Sequence, residues 1–167
     1  DELPELKKNF NDTTKILIKI GLQFCKHLDN YLITKTNGKH NNQLFDIISK
    51  SVTYKGRMLH YFPNNSNQID GLCGWHLDHG CITILVSPLY FNNSNKIIGA
   101  PEDCGLYIKG DNNQNIKITI PEDSVVIQLG EMFQYLSGGY LYATPHCVKS
   151  GINSGISREQ LALFMDC

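Results

Sequence analysis

The first third of the chain has the hydrophobic pattern of helices. Between Leu3 and Leu32, apolar side chains recur every three or four positions, which is the period of one helix face. The positions are Leu6, Phe10, Leu17, Ile20, Phe24, Leu28 and Tyr31. The polar run at residues 11–14 is typical of an N-cap and predicts a second helix after a short first one. The Asn- and Gly-rich stretch 34–43 predicts a loop, and residues 44–51 predict one more short helix.

After Gly56 the pattern changes to short apolar or alternating runs that are separated by turn residues. These runs predict strands at Arg57–Phe62, Cys81–Val86, Gly105–Ile108, Ile116–Ile120, Ser124–Leu129, Tyr140–Ala143 and Gln160–Met165. Many short strands with Gly, Pro and Asn between them favour an antiparallel sandwich or barrel. The polar stretches 64–71 and 87–103 are too long for simple hairpins and predict loops. Residues 121–123 and 137–139 predict tight turns.

Together these patterns predict a mainly β fold, a jelly-roll-like double sheet with N-terminal helices packed outside. We expect residues 1–55 to form the helical layer and residues 56–167 to form the β core. At 167 residues, the chain is long enough to bury a substantial core, so both parts are expected to belong to one compact domain.

Composition and charge exclude several classes of partner. A hydrophobic content of 41% with 19% charged residues is that of an ordinary globular protein. The net charge is −1 and the basic residues are scattered, so the usual signature of a nucleic-acid binder is missing. No apolar run approaches the ~20 residues that cross a bilayer, and the acidic start does not resemble a signal peptide. We therefore expect a cytoplasmic protein without a membrane or nucleic-acid partner.

The chain contains six cysteines but no CxxC pair. A chain of this length does not need disulfides to stabilise its core, so we predict free thiols in a reducing compartment. Cys73, Cys81 and Cys147 lie near histidines in the sequence, which raises a Cys/His zinc site as an alternative. Structural zinc, however, needs a closed tetrahedral set of ligands, and the spacing here does not provide one.

The strongest candidate chemistry is the triplet His76-Leu77-Asp78. On an extended backbone, residues two apart point to the same side, so an imidazole and a carboxylate can converge. Two histidines and one carboxylate select non-haem Fe(II) and leave positions open for a cosubstrate and O₂. His146, at the end of a strand-like run, is the best candidate for the third ligand. Taken alone, an H-x-D triplet is also compatible with a surface turn.

The sequence around these residues is more specific. Residues 57–166 resemble the double-stranded β-helix core of the isopenicillin N synthase-like family of 2-oxoglutarate and Fe(II)-dependent dioxygenases. The resemblance rests on blocks in the family's order: Arg57–Pro63, Gly74–Leu85 with the H-x-D-x-G pattern, Pro121–Gln134 with Leu136–Gly139, His146–Val148 and Ser157–Phe164.

This resemblance implies a fold, an activity and a set of site residues. It implies a jelly roll that binds Fe(II) through His76, Asp78 and His146. Arg158 would anchor the far carboxylate of the cosubstrate 2-oxoglutarate, as a planar guanidinium suits a bidentate pair. Gln160 and His60 would line the same pocket. The expected reaction oxidises an unidentified small-molecule or peptide substrate with O₂, while 2-oxoglutarate is decarboxylated to succinate.

Departures from the family pattern keep alternatives open. Gln160 stands where the family's R-x-S has Ser, and Phe62 stands where the family has a second Tyr, so two hydroxyl donors are replaced. The loop 87–103 is also longer than its family counterpart. An Fe(II) oxidase of the same fold that does not use 2-oxoglutarate is one alternative. A catalytically silent jelly-roll scaffold is another, and a zinc hydrolase is disfavoured because the sequence shows no base or oxyanion donor.

Overall fold

The computed structural model describes residues 3–41, 43–64, 71–150 and 155–167. Within these ranges the chain forms three helices: α1 (Pro4–Lys35), α2 (Gln43–Ser49) and α3 (Glu131–Leu136). The strands are β1 (Lys55–Tyr61), β2 (Gly71–His76), β3 (Ile82–Val86), β4 (Leu89–Phe91), β5 (Ile97–Ile98), β6 (Gly105–Lys109), β7 (Asn115–Ile118), β8 (Val125–Leu129), β9 (His146–Lys149) and β10 (Ser157–Met165). No helix in these ranges has the length and apolar character that a membrane crossing requires.

The strands form two antiparallel sheets. The larger sheet has the order β5-β4-β10-β3-β8, with β1 also paired to β10, and the smaller sheet has the order β2-β9-β6-β7. Leu85 and Ala162 of the larger sheet pack in one apolar cluster with Leu106 and Val148 of the smaller sheet. The two sheets therefore face each other, and the prediction of a mainly β double sheet is confirmed.

Strand β10 lies between two apolar clusters that the described residues form. Because successive side chains of a strand point to opposite faces, Arg158, Gln160 and Ala162 point towards the smaller sheet. Leu163 and Met165 belong to the second cluster, beneath α1. Gly21 permits the close approach of α1, since a Cβ atom there would lie 2.5 Å from Sδ of Met165.

The N-terminal region differs from the prediction in one respect. A single helix, α1, runs through residues 11–14, where we expected a cap and a second helix. The hydroxyl of Thr14 donates to the carbonyl of Phe10, 2.9 Å away, within the same helix. Ser and Thr side chains compete with the backbone in this way without ending a helix. The short helix expected at residues 44–51 is present as α2.

The predicted strand at Tyr140–Ala143 is absent. The chain turns at Gly138 and Gly139, which both have positive φ. Afterwards, the amide of Leu141 donates to Oγ of Ser137 and the amide of Ala143 donates to Oε1 of Gln134. Backbone amides that donate to side chains of α3 and of the turn after it are not available to a neighbouring strand.

Two predicted loops have different outcomes. The stretch 87–103 contains the short strands β4 and β5, and β4 pairs with residues 157–159 of β10. Most of the stretch 64–71 lies outside the described residues. The predicted free thiols are confirmed, because none of the six cysteines forms a disulfide.

Candidate active site

A cavity of about 250 Å³ lies between the two sheets. His76, Asp78 and His146 line one part of it, and Arg158 and Gln160 of β10 line another. The structure thus brings five of the six predicted site residues to one cavity, although they come from both sheets and from distant parts of the sequence.

The two histidines lie opposite each other on neighbouring strands. His76 is the last residue of β2 and His146 the first of β9, and their Cα atoms are partners in the β2–β9 register. The Nε2 atoms of both rings lie 3.7 Å from Oδ1 of Asp78, and the ring centroids are 4.3 Å apart. The three potential ligand atoms all lie within 4.8 Å of one another. An arrangement of two imidazoles and one carboxylate on one face suits non-haem Fe(II).

Hydrogen bonds orient all three side chains. Nδ1 of His76 lies 2.7 Å from the carbonyl of Gly74, and Nδ1 of His146 lies 3.1 Å from that of Thr144. A carbonyl only accepts, so in the neutral imidazole Nδ1 is the protonated nitrogen and Nε2 has its lone pair available for a metal. The hydroxyl of Thr83 donates to Oδ2 of Asp78 over 2.6 Å, which leaves Oδ1 facing the histidines.

Asp78 lies in the loop after β2, and the start of α3 holds this loop. The amide of Glu131 donates to the carbonyl of Asp78 over 2.8 Å, and the amide of Met132 donates to the carbonyl of Gly80 over 3.1 Å. The side chains of Glu131 and His79 also pair. The position of Asp78 therefore depends on contacts between this loop and α3.

Cys73 lies beside the candidate metal ligands. Both Cys73 and His76 line the cavity although they are three residues apart, because register shifts in the β2–β9 pair change the alternation of side chains. Burial, reinforced by the Asp78 carboxylate, raises the pKa of the Cys73 thiol. Cys73 is not among the side chains whose ligand atoms converge, which are those of His76, Asp78 and His146.

Arg158 is a buried cation with unused hydrogen-bond donors. It is only 3% exposed, and its Nη2 donates to Oε1 of Gln160, whose Nε2 donates to the carbonyl of Val86. Nε and Nη1 have no hydrogen-bond partner in the described part of the chain. The guanidinium lies 5.1 Å from the ring of Tyr61. Burial raises the pKa of Tyr61, and the charge of Arg158 opposes this effect.

His60 does not lie in the cavity. It pairs with Glu159 across β1 and β10, and its side chain is 43% exposed. Its neighbours Leu59 and Tyr61 line the cavity instead. The expectation rested on position within a motif, whereas the alternation of side chains along β1 places His60 on the opposite face.

Arg57 and Thr83 also line the cavity, although their sequence context predicts no role for either residue. The guanidinium of Arg57 lies 5.1 Å from the ring centroid of Phe164. Arg57 lies two and four residues before the cavity-lining Leu59 and Tyr61 of the same strand, but the sequence alone does not indicate which face of β1 points into the cavity. Thr83 belongs to the strand after the H-x-D triplet, and its bond to Asp78 depends on the three-dimensional path of the intervening loop.

A sandwich of two antiparallel sheets with two histidines and one carboxylate clustered between them is an arrangement suited to a metal site. Residues 54–166 match the 2OG-Fe(II) oxygenase superfamily, and the chain belongs to this family. A search of curated proteins finds no match.

Solved structures show the same fold at low sequence identity. A 2OG-Fe(II) oxygenase family protein from Caulobacter crescentus is 24% identical with a TM-score of 0.74, covering 99% of this chain and 48% of that one. A full-length protein from Neurospora crassa, solved in complex with alpha-KG, is 21% identical with a TM-score of 0.73, covering 99% and 47%. The chain thus spans about half the length of these proteins.

Proposed function

We propose that this chain is the catalytic core of an Fe(II)- and 2-oxoglutarate-dependent oxygenase. The observation that carries the proposal is one cavity that contains both the His76–Asp78–His146 cluster and a buried arginine with unused donors. His76, Asp78 and His146 would bind Fe(II). When bound, Fe(II) would activate O₂, the oxidant: decarboxylation of 2-oxoglutarate to succinate and CO₂ supplies two electrons and takes up one oxygen atom, and the other oxygen atom would oxidise the substrate.

Arg158 is the residue that supports 2-oxoglutarate as the cosubstrate. A buried guanidinium with unpaired N–H groups is costly unless an anion pairs with it. No carboxylate among the described residues forms an ion pair with Arg158, so an incoming carboxylate would satisfy both the charge and the free donors. Gln160 would act indirectly, because its amide oxygen accepts from Arg158 and thereby fixes the guanidinium.

The general class of substrate in this proposal is a small molecule or a peptide that is oxidised with O₂. The Neurospora crassa protein has also been solved with alpha-KG and thymine, and another related structure, JOX2, with 2OG, Fe and JA. These proteins are too distant in sequence for their substrates to be transferred to this chain. The cytoplasmic location that we expect from the sequence stays a prediction.

Titration calorimetry with Mn(II), an O₂-inert substitute for Fe(II), tests the proposal. We expect wild type to bind Mn(II) and then 2-oxoglutarate, and His146→Ala to weaken both. Arg158→Ala should keep Mn(II) binding but weaken 2-oxoglutarate binding by about one to three orders of magnitude, because loss of a buried charge partner costs about 2–5 kcal/mol.

Lys55→Gln is the matched control, since Lys55 pairs with Asp166 and does not line the cavity. Thermal melts of each variant exclude unfolding as the cause of a lost affinity. Unchanged 2-oxoglutarate binding in Arg158→Ala would contradict the cosubstrate assignment and favour an oxidase of the same fold. A wild-type protein that binds no Mn(II) would contradict the metal site and favour a silent scaffold.

A further inference from the structure

A second arginine lies at the opposite end of the cavity from Arg158. Arg57 and Tyr61 are four residues apart on β1, which is about 13 Å along a strand. Tyr61 pairs in register with Arg158. The Arg57 guanidinium instead lies over Phe164, which is opposite Thr83 in the β10–β3 register. Since the hydroxyl of Thr83 donates to Asp78, Arg57 lies at the end of the cavity that carries the candidate metal ligands.

Arg57 is accessible and has no acidic partner. It is exposed, and no carboxylate in the described part of the chain lies within ion-pair distance of it, whereas nearby Lys55 pairs with Asp166 over 3.6 Å. The guanidinium lies over the ring of Phe164, 5.1 Å from its centroid, and a cation–π contact of this kind favours that placement. Arg57 is therefore an accessible cation at the mouth of the cavity.

The charges of the cavity indicate what Arg57 would bind. Apart from the histidines, the described side chains that line it and carry a charge at neutral pH are Arg57, Asp78 and Arg158. Asp78 and Arg158 have opposite charges, and the charges of Fe(II) and the 2-oxoglutarate dianion also cancel. One positive charge, that of Arg57, is left over. A monoanionic substrate would neutralise it, whereas a neutral or cationic substrate would not.

The size of the cavity agrees with a substrate bound at its mouth. A volume of about 250 Å³ is below the usual range of about 300–1,000 Å³ for small-molecule sites. In the proposed function, 2-oxoglutarate takes the part of this space that reaches Arg158. The substrate that is oxidised must then enter past Arg57 and the ring of Phe164. A polar group of this substrate would lie near Arg57, and apolar atoms would lie near Phe164.

Resting on the proposed function, we infer that the substrate is an organic monocarboxylate and that Arg57 is its specificity-determining residue. The guanidinium matches a carboxylate with two parallel N–H donors. Electrostatic attraction by an unpaired cation at the mouth also favours anions during approach. The rest of the substrate would pack on Phe164, so that its oxidisable C–H group lies near the metal end of the cavity.

The test uses pairs of probes that differ only in charge: benzoate with benzamide, phenylacetate with phenylacetamide, and hexanoate with hexanamide. Each is titrated into the protein loaded with Mn(II) and saturated with 2-oxoglutarate, without O₂. Binding near the metal is read from the paramagnetic relaxation of the probe protons in NMR spectra. We expect at least one carboxylate to bind about tenfold more tightly than its amide, with its protons relaxed by Mn(II).

Variants identify the residue responsible. Arg57→Gln should abolish the preference for the carboxylate and leave the affinity for 2-oxoglutarate unchanged, whereas Lys55→Gln, which loses the same charge on the same strand, should keep the preference. Equal binding of every carboxylate and amide by wild type, or no measurable binding of any carboxylate, would overturn the inference. A preference that survives in Arg57→Gln would overturn it as well.

The same probes are also titrated into metal-free Arg158→Ala protein, in which Arg158 cannot bind them, and followed by saturation-transfer NMR. An Arg57-dependent preference there supports the inference even where Mn(II) binding fails, and its absence counts against it. If the protein fails to bind Mn(II) and 2-oxoglutarate, that result contradicts only the proposed function and not the inference about Arg57.

Discussion

Thr83 illustrates how one buried hydroxyl determines which atom of Asp78 faces the histidines. Its Oγ1 donates to Oδ2 of Asp78, and the side chain is almost completely buried. Partners of this kind orient metal ligands, and their loss typically lowers metal affinity about 10- to 100-fold. Thr83→Val keeps the shape and removes the hydroxyl, so Mn(II) affinity should fall by about one order of magnitude or more.

Thr83→Ser is the matched control for this prediction, because it keeps the hydroxyl and removes only a methyl group. Calorimetric titration with Mn(II) compares the two variants. Equal Mn(II) affinity in Thr83→Val and wild type would show that Asp78 needs no such orientation.

For single residues, the sequence predicts which residue types form the site better than it predicts the direction in which each side chain points. The H-x-D spacing was sufficient to select His76 and Asp78, because their chemistry and proximity are local properties. His60 belonged to a similar motif, yet its side chain is on the outer face of β1. Arg57 was overlooked for the same reason, since the phase of a strand is set by pairing with β10 and not by the motif.

Among the secondary-structure elements, α3 has a larger role than its six residues suggest. Its first amides bond to the carbonyls of Asp78 and Gly80, and the amide of Gly130, just before it, donates to the carbonyl of Cys81 over 2.9 Å. This close approach requires glycine at position 130. A Cβ atom there would lie 2.1 Å from the carbonyl oxygen of Gly80 and 2.9 Å from that of Asp78.

Gly130→Ala should therefore displace the loop that carries Asp78. We expect a loss of about 1–3 kcal/mol in the free energy of unfolding, as for overpacked interiors, together with weaker Mn(II) binding. Gly99→Ala is the control, because an added Cβ atom there has no neighbour within 4 Å. Urea unfolding measures stability, and a Gly130→Ala protein as stable as wild type would contradict this role of the contact.

The elements that the sequence predicted poorly are those whose hydrogen bonds depend on tertiary contacts. The long apolar pattern of α1 was clear, but the polar residues 11–14 suggested a boundary that the helix does not have. The run 140–143 has strand-like residues, yet its amides bond to side chains of α3 and the following turn. The expected division of the chain at residue 56 stays a prediction, although helices α1 and α2 both precede β1.

For the molecule as a whole, buried thiols make the free energy of unfolding change with pH in the alkaline range. Burial, with a smaller contribution from Asp29, raises the pKa of Cys25 from 9.0 to about 12. Between these values the unfolded chain loses this proton and the folded chain keeps it. The folded state then binds more protons than the unfolded state. The contribution of this thiol to the free energy of unfolding is therefore complete below about pH 9. Above that pH it falls by up to about 1.4 kcal/mol for each pH unit.

Urea unfolding at a series of pH values from 8 to about 11 measures this slope. Burial also raises the pKa of Cys81, so a second thiol contributes in the same direction. Cys25→Ala should lower stability at every pH because it removes a buried side chain, but its slope above pH 9 should be smaller. An identical slope in the variant would contradict the contribution of Cys25.

The pairing of His76 with His146 also determines when during folding a metal ion can be captured. These residues are partners on β2 and β9, and the chain from β3 to α3 lies between them in the sequence. Closing such a long loop is entropically costly and slow, so we expect this strand pair to form late. Until it forms, the two imidazoles are not close together. A newly made chain would therefore complete its sandwich before it captures iron, and the amount of iron bound would report how many molecules have finished folding.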